Sequence, residues 1–293
     1  MANINIYIAK TELICYTKRK KAVTLLKVTN NVFQKRDFFY KHQLTLAPPC
    51  DAYSAHTHNS YELLYFVSGD ATHIIEDRKY KLKGGDLILI PPMKHHFIKI
   101  DSQKDYERYN LLFDADMLGE KAEQLISDDT EVVNLLDNPI AKGIFDKLDY
   151  YYSNLAREDF AEVISLLLKE LFYNINIARR YTVPESFSVT NPLVSSALKI
   201  INDELYTIDG VVELAKKLFV TESYLFRIFK KELLRSPKQY INEKRLLAAQ
   251  RLIRLGERPT SVFEKCGFRD YTSFYRSYTK LFGVAPSSEK IKR

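Results

Sequence analysis

Two stretches place arginines among small polar and aromatic residues at helical spacing. In residues 221–233, TESYLFRIFKKEL, Thr221 suits an N-cap, and Leu225, Ile228 and Phe229 form one apolar stripe. Ser223, Phe226, Arg227 and Lys230 fall on the opposite side, with Lys231 at its edge. Just upstream, GVVELAKKLFV makes a second short amphipathic segment, in which Ala215 is small enough for a close helix crossing. Two short helices, a tight turn and a basic outer face predict a helix-turn-helix whose second helix enters a DNA major groove. Alone, such a match reads more readily as an ordinary surface helix. A second copy follows in PTSVFEKCGFRDYTSFYRSYTKLFG. There Gly267 permits the sharp turn, Asp270 caps the next helix, and Phe274, Tyr278 and Leu281 form its inner stripe. Tyr271, Thr272, Tyr275 and Arg276 face outward, and Gly283 ends the helix. A tyrosine-tipped basic helix also suits a protein-binding face; the pairing makes groove reading the expectation.

These helices need positioning elements, and the sequence supplies them. Ser236-Pro237 opens a helix that Leu255-Gly256 closes, about 28 Å of rod at roughly 1.5 Å per residue. A duplex turn is roughly 34 Å, so a stiff spacer of this size suits two heads over successive groove faces. Asn191-Pro192 is an N-cap and N1 pair, and Val194, Ala197, Leu198, Ile201 and Leu205 then form a buttressing core face. TVPESFSVTNP, at 182–192, reads as a linker. From about Asp114 to Tyr181 the pattern is helical. Phe160, Val163, Ile164, Leu167, Leu168, Leu171, Phe172 and Ile175 form a broad stripe there. That stripe either reaches a partner chain or is buried within one subunit. Residues 2–50 read as strands: Ile4, Ile6 and Ile8 alternate, TLLKVT is β-rich, and KRKK at 18–21 suits a solvated turn.

The bulk numbers agree with a soluble multidomain chain of 293 residues, 46% apolar and 28% charged. No apolar run approaches membrane-spanning length, and Met1 to Lys10 lacks a secretion signal. Cys15, Cys50 and Cys266 are odd in number, far apart and not metal-spaced, which suggests a reducing compartment. The net charge of +7 is unevenly spread. From Leu193 onward there are 20 Lys and Arg against 11 Asp and Glu; the remainder carries 24 against 26. The basic excess therefore lies wholly in the last third, as phosphate-backbone binding requires.

Upstream, YELLYFV, THII, KYKL and DLILI are short strand candidates separated by turn residues, the pattern of a small barrel or jelly roll. This segment resembles the cupin fold. HTHNSYE, six residues and Gly69 match its first motif; Gly85, Pro91 and His96 match most of its second. Met93 stands where that motif usually has glycine. In metal-using cupins the positions of His56, His58, Glu62 and His96 bind one divalent ion, a three-imidazole, one-carboxylate set. The other reading is that they line a ligand pocket without metal. His42, His73 and His95 are expected to be ordinary surface or satisfied histidines.

The last hundred residues resemble the AraC family of bacterial transcriptional regulators. The carrying residues are Leu214-Ala215, the run from Tyr224 to Lys231, Ser236-Pro237, Tyr240, Arg245, Gly267-Phe268, Phe274-Tyr275-Arg276, Gly283 and Pro286. Leu234 replaces the family's usual glycine. Phe263 replaces an alanine, a bulk expected to force the second unit to repack. The resemblance implies an α+β multidomain chain: 1–113 a cupin-like sensing β-barrel, 114–181 a helical extension, 182–192 a linker, and 193–293 an all-α domain with two helix-turn-helix units. It implies a cytoplasmic, sequence-specific regulator, more often an activator, that binds double-stranded DNA and an unnamed small-molecule effector. RNA polymerase and a second copy of the chain are further expected partners; a membrane is not. Ser223, Phe226, Arg227, Tyr271, Thr272, Tyr275 and Arg276 are then expected at base edges, and Lys230, Lys231, Lys238 and Lys280 at phosphates. Phe226 either touches a thymine methyl or tucks against the neighbouring helix. No catalytic residue and no obligatory cofactor are expected. The alternative reading is a metal-dependent cupin oxygenase or isomerase with a basic tail.

Overall fold

The computed structural model describes residues 30–35, 38–127, 129–180 and 187–289. The alternating isoleucines near the N-terminus, KRKK, TLLKVT, Cys15 and residues 182–186 of the expected linker lie outside them. By contact the described residues divide into two units, one ending at Lys244 and the other beginning at Arg245.

Ten strands build the first unit's barrel: β1 (Asn30–Lys35), β2 (Phe38–Thr45), β3 (Tyr61–Ser68), β4 (Ala71–Ile75), β5 (Arg78–Lys81), β6 (Asp86–Ile90), β7 (His96–Ile100), β8 (Tyr106–Phe113), β9 (Glu131–Asn134) and β10 (Ser188–Val189). They form a six-stranded sheet in the order β1-β2-β8-β3-β6-β9 and a four-stranded sheet in the order β10-β5-β4-β7. Every recorded strand pairing is antiparallel. Between the sheets lie Leu64, Phe66, Ile75, Ile88, Ile90, Ile98 and Tyr106. The outer face of the larger sheet is apolar as well. Leu63, Tyr65, Leu87, Tyr109, Leu111 and Phe113 meet α2 (Pro139–Asn154) and α3 (Arg157–Ala178) there. Gly85 is fixed by geometry: its φ is +86°, and a side-chain carbon would lie 2.6 Å from Leu136.

One local expectation changes, and one of two open readings is found. Residues 131–134, inside the stretch expected to be helical, form β9, with Val132 and Val133 buried. Four residues are too few for periodicity to separate strand from helix. The α3 stripe is settled within one chain: Phe160, Ile164, Leu168, Leu171 and Phe172 are buried in the sheet-facing core. Leu166, Tyr173 and Ile177 remain exposed as a second row on that helix.

The same unit continues through α4 (Pro192–Asp203), α5 (Val211–Lys217), α6 (Glu222–Leu233) and the start of α7 (Pro237–Arg254). Their core joins Val194, Ala197, Ile201, Leu214, Ala215, Leu225, Phe229, Leu233 and Tyr240. The second unit holds the remainder of α7 with α8 (Pro259–Lys265) and α9 (Tyr271–Phe282). A short α1 (Ala122–Leu125) precedes β9 in the first unit. The architecture is α+β, as expected.

Candidate functional site

The first head is built by capping and burial. The Thr221 hydroxyl accepts from the Tyr224 amide at 3.2 Å, which fixes where α6 begins. Leu225, Phe229 and Leu233 are fully buried, so their spacing turns the other face outward. Ser223, Phe226, Arg227, Lys230 and Lys231 are all exposed there, and Lys238 is exposed on α7. Phe226 is 52% exposed, so it does not tuck against a neighbouring helix. The Arg227 guanidinium lies 5.2 Å from the Tyr224 ring centre, within cation–π range. Ser236 and Gln239 cap α7 reciprocally, each side chain accepting from the other's amide.

The second head repeats the plan with different packing. Asp270 caps α9 by accepting from the Ser273 amide at 2.7 Å. Phe274, Tyr278 and Phe282 are buried; Phe282, rather than the expected Leu281, completes the inner stripe. Arg245 donates to the Gly267 carbonyl at 2.8 Å, which pins the turn to α7. Tyr278 and Arg254 both bond Glu289, at 2.8 and 2.9 Å. Thr272, Tyr275, Arg276 and Lys280 are exposed, but Tyr271 is half-buried. Phe263 accounts for this: its ring meets Tyr271 edge-on at 5.7 Å. Val262 and Cys266 occupy the core side of α8, and Phe263 lies beside the recognition helix, its ring also 6.5 Å from that of Phe274.

In the barrel, His56, His58, Glu62 and His96 bring one ligand atom each within 4.8 Å of one another. Glu62 Oε2 lies 2.9 Å from both His58 Nε2 and His96 Nε2. The Nδ1 atoms of His56, His58 and His96 each lie 2.9 Å from a backbone carbonyl, of Ser54, Ser60 and Lys94. A carbonyl only accepts, so each Nδ1 carries the proton and a neutral ring leaves its Nε2 lone pair aimed at the centre. The carboxylate contacts then need an added proton or a cation. Burial would raise the Glu62 carboxyl, yet the facing His96 and His58 rings hold it well below the usual carboxylate range. Burial would lower His96, but Glu62 raises it. Burial, with His96 alongside, drops His56 to about 3. Three tethered imidazoles and one carboxylate fit a divalent cation by donor type and orientation.

Three residues expected to be ordinary histidines are buried. His42 is satisfied, 2.9 Å from Glu107 and 2.7 Å from Asp149. His73 is neither exposed nor satisfied: both ring nitrogens lack a hydrogen-bond partner among the described residues. Burial takes it to about 3. His95 is satisfied by a bond that the sequence does not reveal. Its Nε2 donates to the Leu233 carbonyl at the end of α6, at 2.8 Å, while Thr57 lies 3.1 Å from its Nδ1.

That bond belongs to a larger joint between barrel and first head. Glu76 accepts from the His95 amide at 2.7 Å and from the Tyr240 hydroxyl, and it lies 3.2 Å from Lys244. Arg235 donates to the Ala55 carbonyl, and Lys79 meets Glu232 at 3.2 Å. Met93 packs on the first head's core. Its φ is +65°, which explains why a glycine is usual at this position.

Two family models match the chain. A helix-turn-helix domain covers residues 214–290, and an AraC-like ligand binding domain covers residues 47–171. The chain is 25% identical over 239 residues to the Msm operon regulatory protein of Streptococcus mutans, covering 78% of this chain and 83% of that protein. It is 24% identical over 278 residues to the HTH-type transcriptional activator RhaR of Cronobacter sakazakii, covering 87% and 94%. Among solved structures, ToxT from Vibrio cholerae aligns over 86% of this chain and 96% of its own, at 13% identity and a TM-score of 0.39.

Proposed function

We propose that this chain, which belongs to the AraC family of transcriptional regulators, activates transcription by reading two DNA sites with α6 and α9 under control of an effector in its barrel. The observation that carries the reading is the pair of capped helices, each burying an aromatic stripe and exposing an arginine on the opposite face. Arg227 and Arg276 read base edges, guanine O6 and N7 most naturally, assisted by Ser223, Phe226, Thr272 and Tyr275. Tyr271 contributes only the part that Phe263 leaves uncovered. Lys230, Lys231, Lys238 and Lys280 neutralise phosphates and set the salt dependence.

Activation is supported by the activator named among the relatives, and it makes RNA polymerase the next partner. A second copy of the chain docks on the exposed Leu166, Tyr173 and Ile177 row of α3. No described helix is long and apolar enough to cross a membrane, and a DNA regulator of this kind works in the cytoplasm. The effector acts through its different affinity for two arrangements of the barrel and first head. The joint through Glu76, His95 and Arg235 is what it would loosen or tighten.

Selection of bound sequences from random DNA tests the reading. The expected result is a bipartite site with half-sites about one helical turn apart. Failure to enrich any sequence over bulk competitor would sink it.

The tethered imidazoles favour a second reading, a metal-dependent cupin enzyme. In the enzyme reading His56, His58, Glu62 and His96 would hold a divalent cation, which would supply Lewis acidity; as a regulator the chain has no catalytic residue, and the same four side chains line the effector pocket with or without metal. Stoichiometric metal that is lost in His58→Ala, together with turnover of a substrate, would favour the enzyme. Metal whose loss changes only DNA affinity would favour the regulator.

A further inference from the structure

The barrel interior holds a buried arginine that its own side chains satisfy only in part: Tyr53 and the Glu62 carboxylate favour its charge, but two of its nitrogens are left without partners. Tyr106, Arg108 and Asn110 alternate with Tyr109 and Leu111 along β8. The second set faces the helices, and Tyr106 belongs to the core between the sheets. Arg108 and Asn110 therefore share the interior face. Directly opposite, β2 presents Gln43 to Arg108 and Lys41 to Asn110.

Arg108 is 7% exposed, and its Nε and Nη1 have no hydrogen-bond partner among the described residues. The guanidinium lies 4.1 Å from the Tyr53 ring centre and 5.1 Å from that of Tyr106, which fixes its plane. No ion pair to Arg108 or Lys41 is found among the described residues. Gln43 Oε1, Asn110 Oδ1 and both nitrogens of His73 are likewise buried without partners. A buried cation with no carboxylate in contact is costly, and so is each orphaned polar atom. Burial and the neighbouring Arg108 lower the Lys41 ammonium to about 8.

We propose that the barrel binds a small hydroxylated anion, a sugar acid or a sugar phosphate. Its carboxylate or phosphate lies on Arg108 with Lys41 beside it, and its hydroxyls meet Gln43, Asn110 and His73. An arginine fork matches either anion with two parallel bonds. The amide oxygens accept from hydroxyls, and an imidazole offers both a donor and an acceptor. An apolar ligand would leave all of these groups unmet, and a neutral sugar would leave Arg108 unmet. The proposal rests on the barrel being the effector site.

Calorimetry on the full chain tests it with gluconate, glucuronate, glucose 6-phosphate, glucose and inorganic phosphate. One hydroxylated anion should bind more tightly than glucose and than inorganic phosphate; whether it is an acid or the phosphate ester identifies the source. Arg108→Gln should weaken it roughly ten- to a hundredfold, as loss of a charge-assisted pair does. Lys41→Met, nearer the surface, should weaken it by about three- to tenfold. Melting of the unliganded Arg108→Gln protein shows whether it still folds, so that a lost affinity is read as a lost contact with the anion. Glucose binding as tightly as gluconate, an unchanged affinity in Arg108→Gln, or no binding by any anion of the set would overturn the proposal. The duplex obtained by DNA selection separates this from the regulator reading. If the anion binds and duplex affinity is unchanged, the anion site stands and the effector role falls. If the duplex responds only to glucose, the anion proposal falls and the regulator reading stands.

Discussion

The two reading heads share a plan but not a setting. In the first, the end of α6 is held by the barrel: His95 bonds the Leu233 carbonyl, Lys79 meets Glu232, and Glu76 gathers Tyr240 and Lys244. In the second, the turn is held by Arg245, and Glu289 joins Tyr278 to Arg254. One head is thus braced by the domain that senses; the other is braced by its own helix and tail. The helix ends differ as well. Leu234 closes α6 in a left-handed conformation with φ of +56°, where α9 uses Gly283 at +72°.

The largest effect should come from the brace. Glu76→Gln leaves Lys244 buried beside a weaker partner, a loss of about 3–5 kcal/mol if the pair is broken outright. Chemical denaturation read at the first head checks this, and a loss under about 1 kcal/mol would break the comparison. The pH dependence has a definite sign. Burial would raise Glu76, but Lys244 and Tyr240 hold its carboxyl below the ordinary 4.5. Its contribution is therefore fully present above about 4.5 and is lost as the pH falls through the lowered folded value. Melting curves in acid should converge for wild type and Glu76→Gln.

Next in size are the base contacts. Arg227→Ala and Arg276→Ala should each relax discrimination at one base position by about 1–3 kcal/mol. Uniform weakening across sequences would demote either arginine to a phosphate contact. Tyr271→Ala should cost less than Tyr275→Ala, since Phe263 already covers part of Tyr271. Duplex titrations against single-base variants measure all four.

The smallest effect concerns the helix ends. Leu234→Gly should stabilise the first head by about 1 kcal/mol, the cost of a left-handed conformation for a residue with a side chain. Gly283→Ala should destabilise the second by a similar amount, about 1 kcal/mol. Opposite signs in thermal melts would sharpen the comparison; equal signs would contradict it.

Much of this was legible in residue order. The caps at Thr221, Asn191 and Asp270 act as their chemistry requires, and His56, His58, Glu62 and His96 converge as their motif spacing implies. Arg108 was not legible, for a physical reason. In YERYNLLF one alternating set is Tyr109, Leu111 and Phe113, which reads as the inward set. The larger sheet is buried on both faces, so the polar set of β8 faces the barrel interior and the apolar set faces the helices. His95 was hidden differently, because its partner is a backbone carbonyl 138 residues away. Met93 and Leu234 carried a signal in reverse: each occupies a glycine position and keeps the glycine conformation.

His95 and His96 are consecutive, and consecutive strand residues project to opposite sides. His96 belongs to the barrel's polar cluster, while His95 grips the last turn of α6. A single peptide unit thus carries one ring to each side, and it is itself held at both ends: its carbonyl accepts from the Glu76 amide at 2.7 Å and its N–H donates to the His56 carbonyl at 3.0 Å. The polar cluster of the barrel and the grip on α6 are therefore neighbours along the backbone, one residue apart.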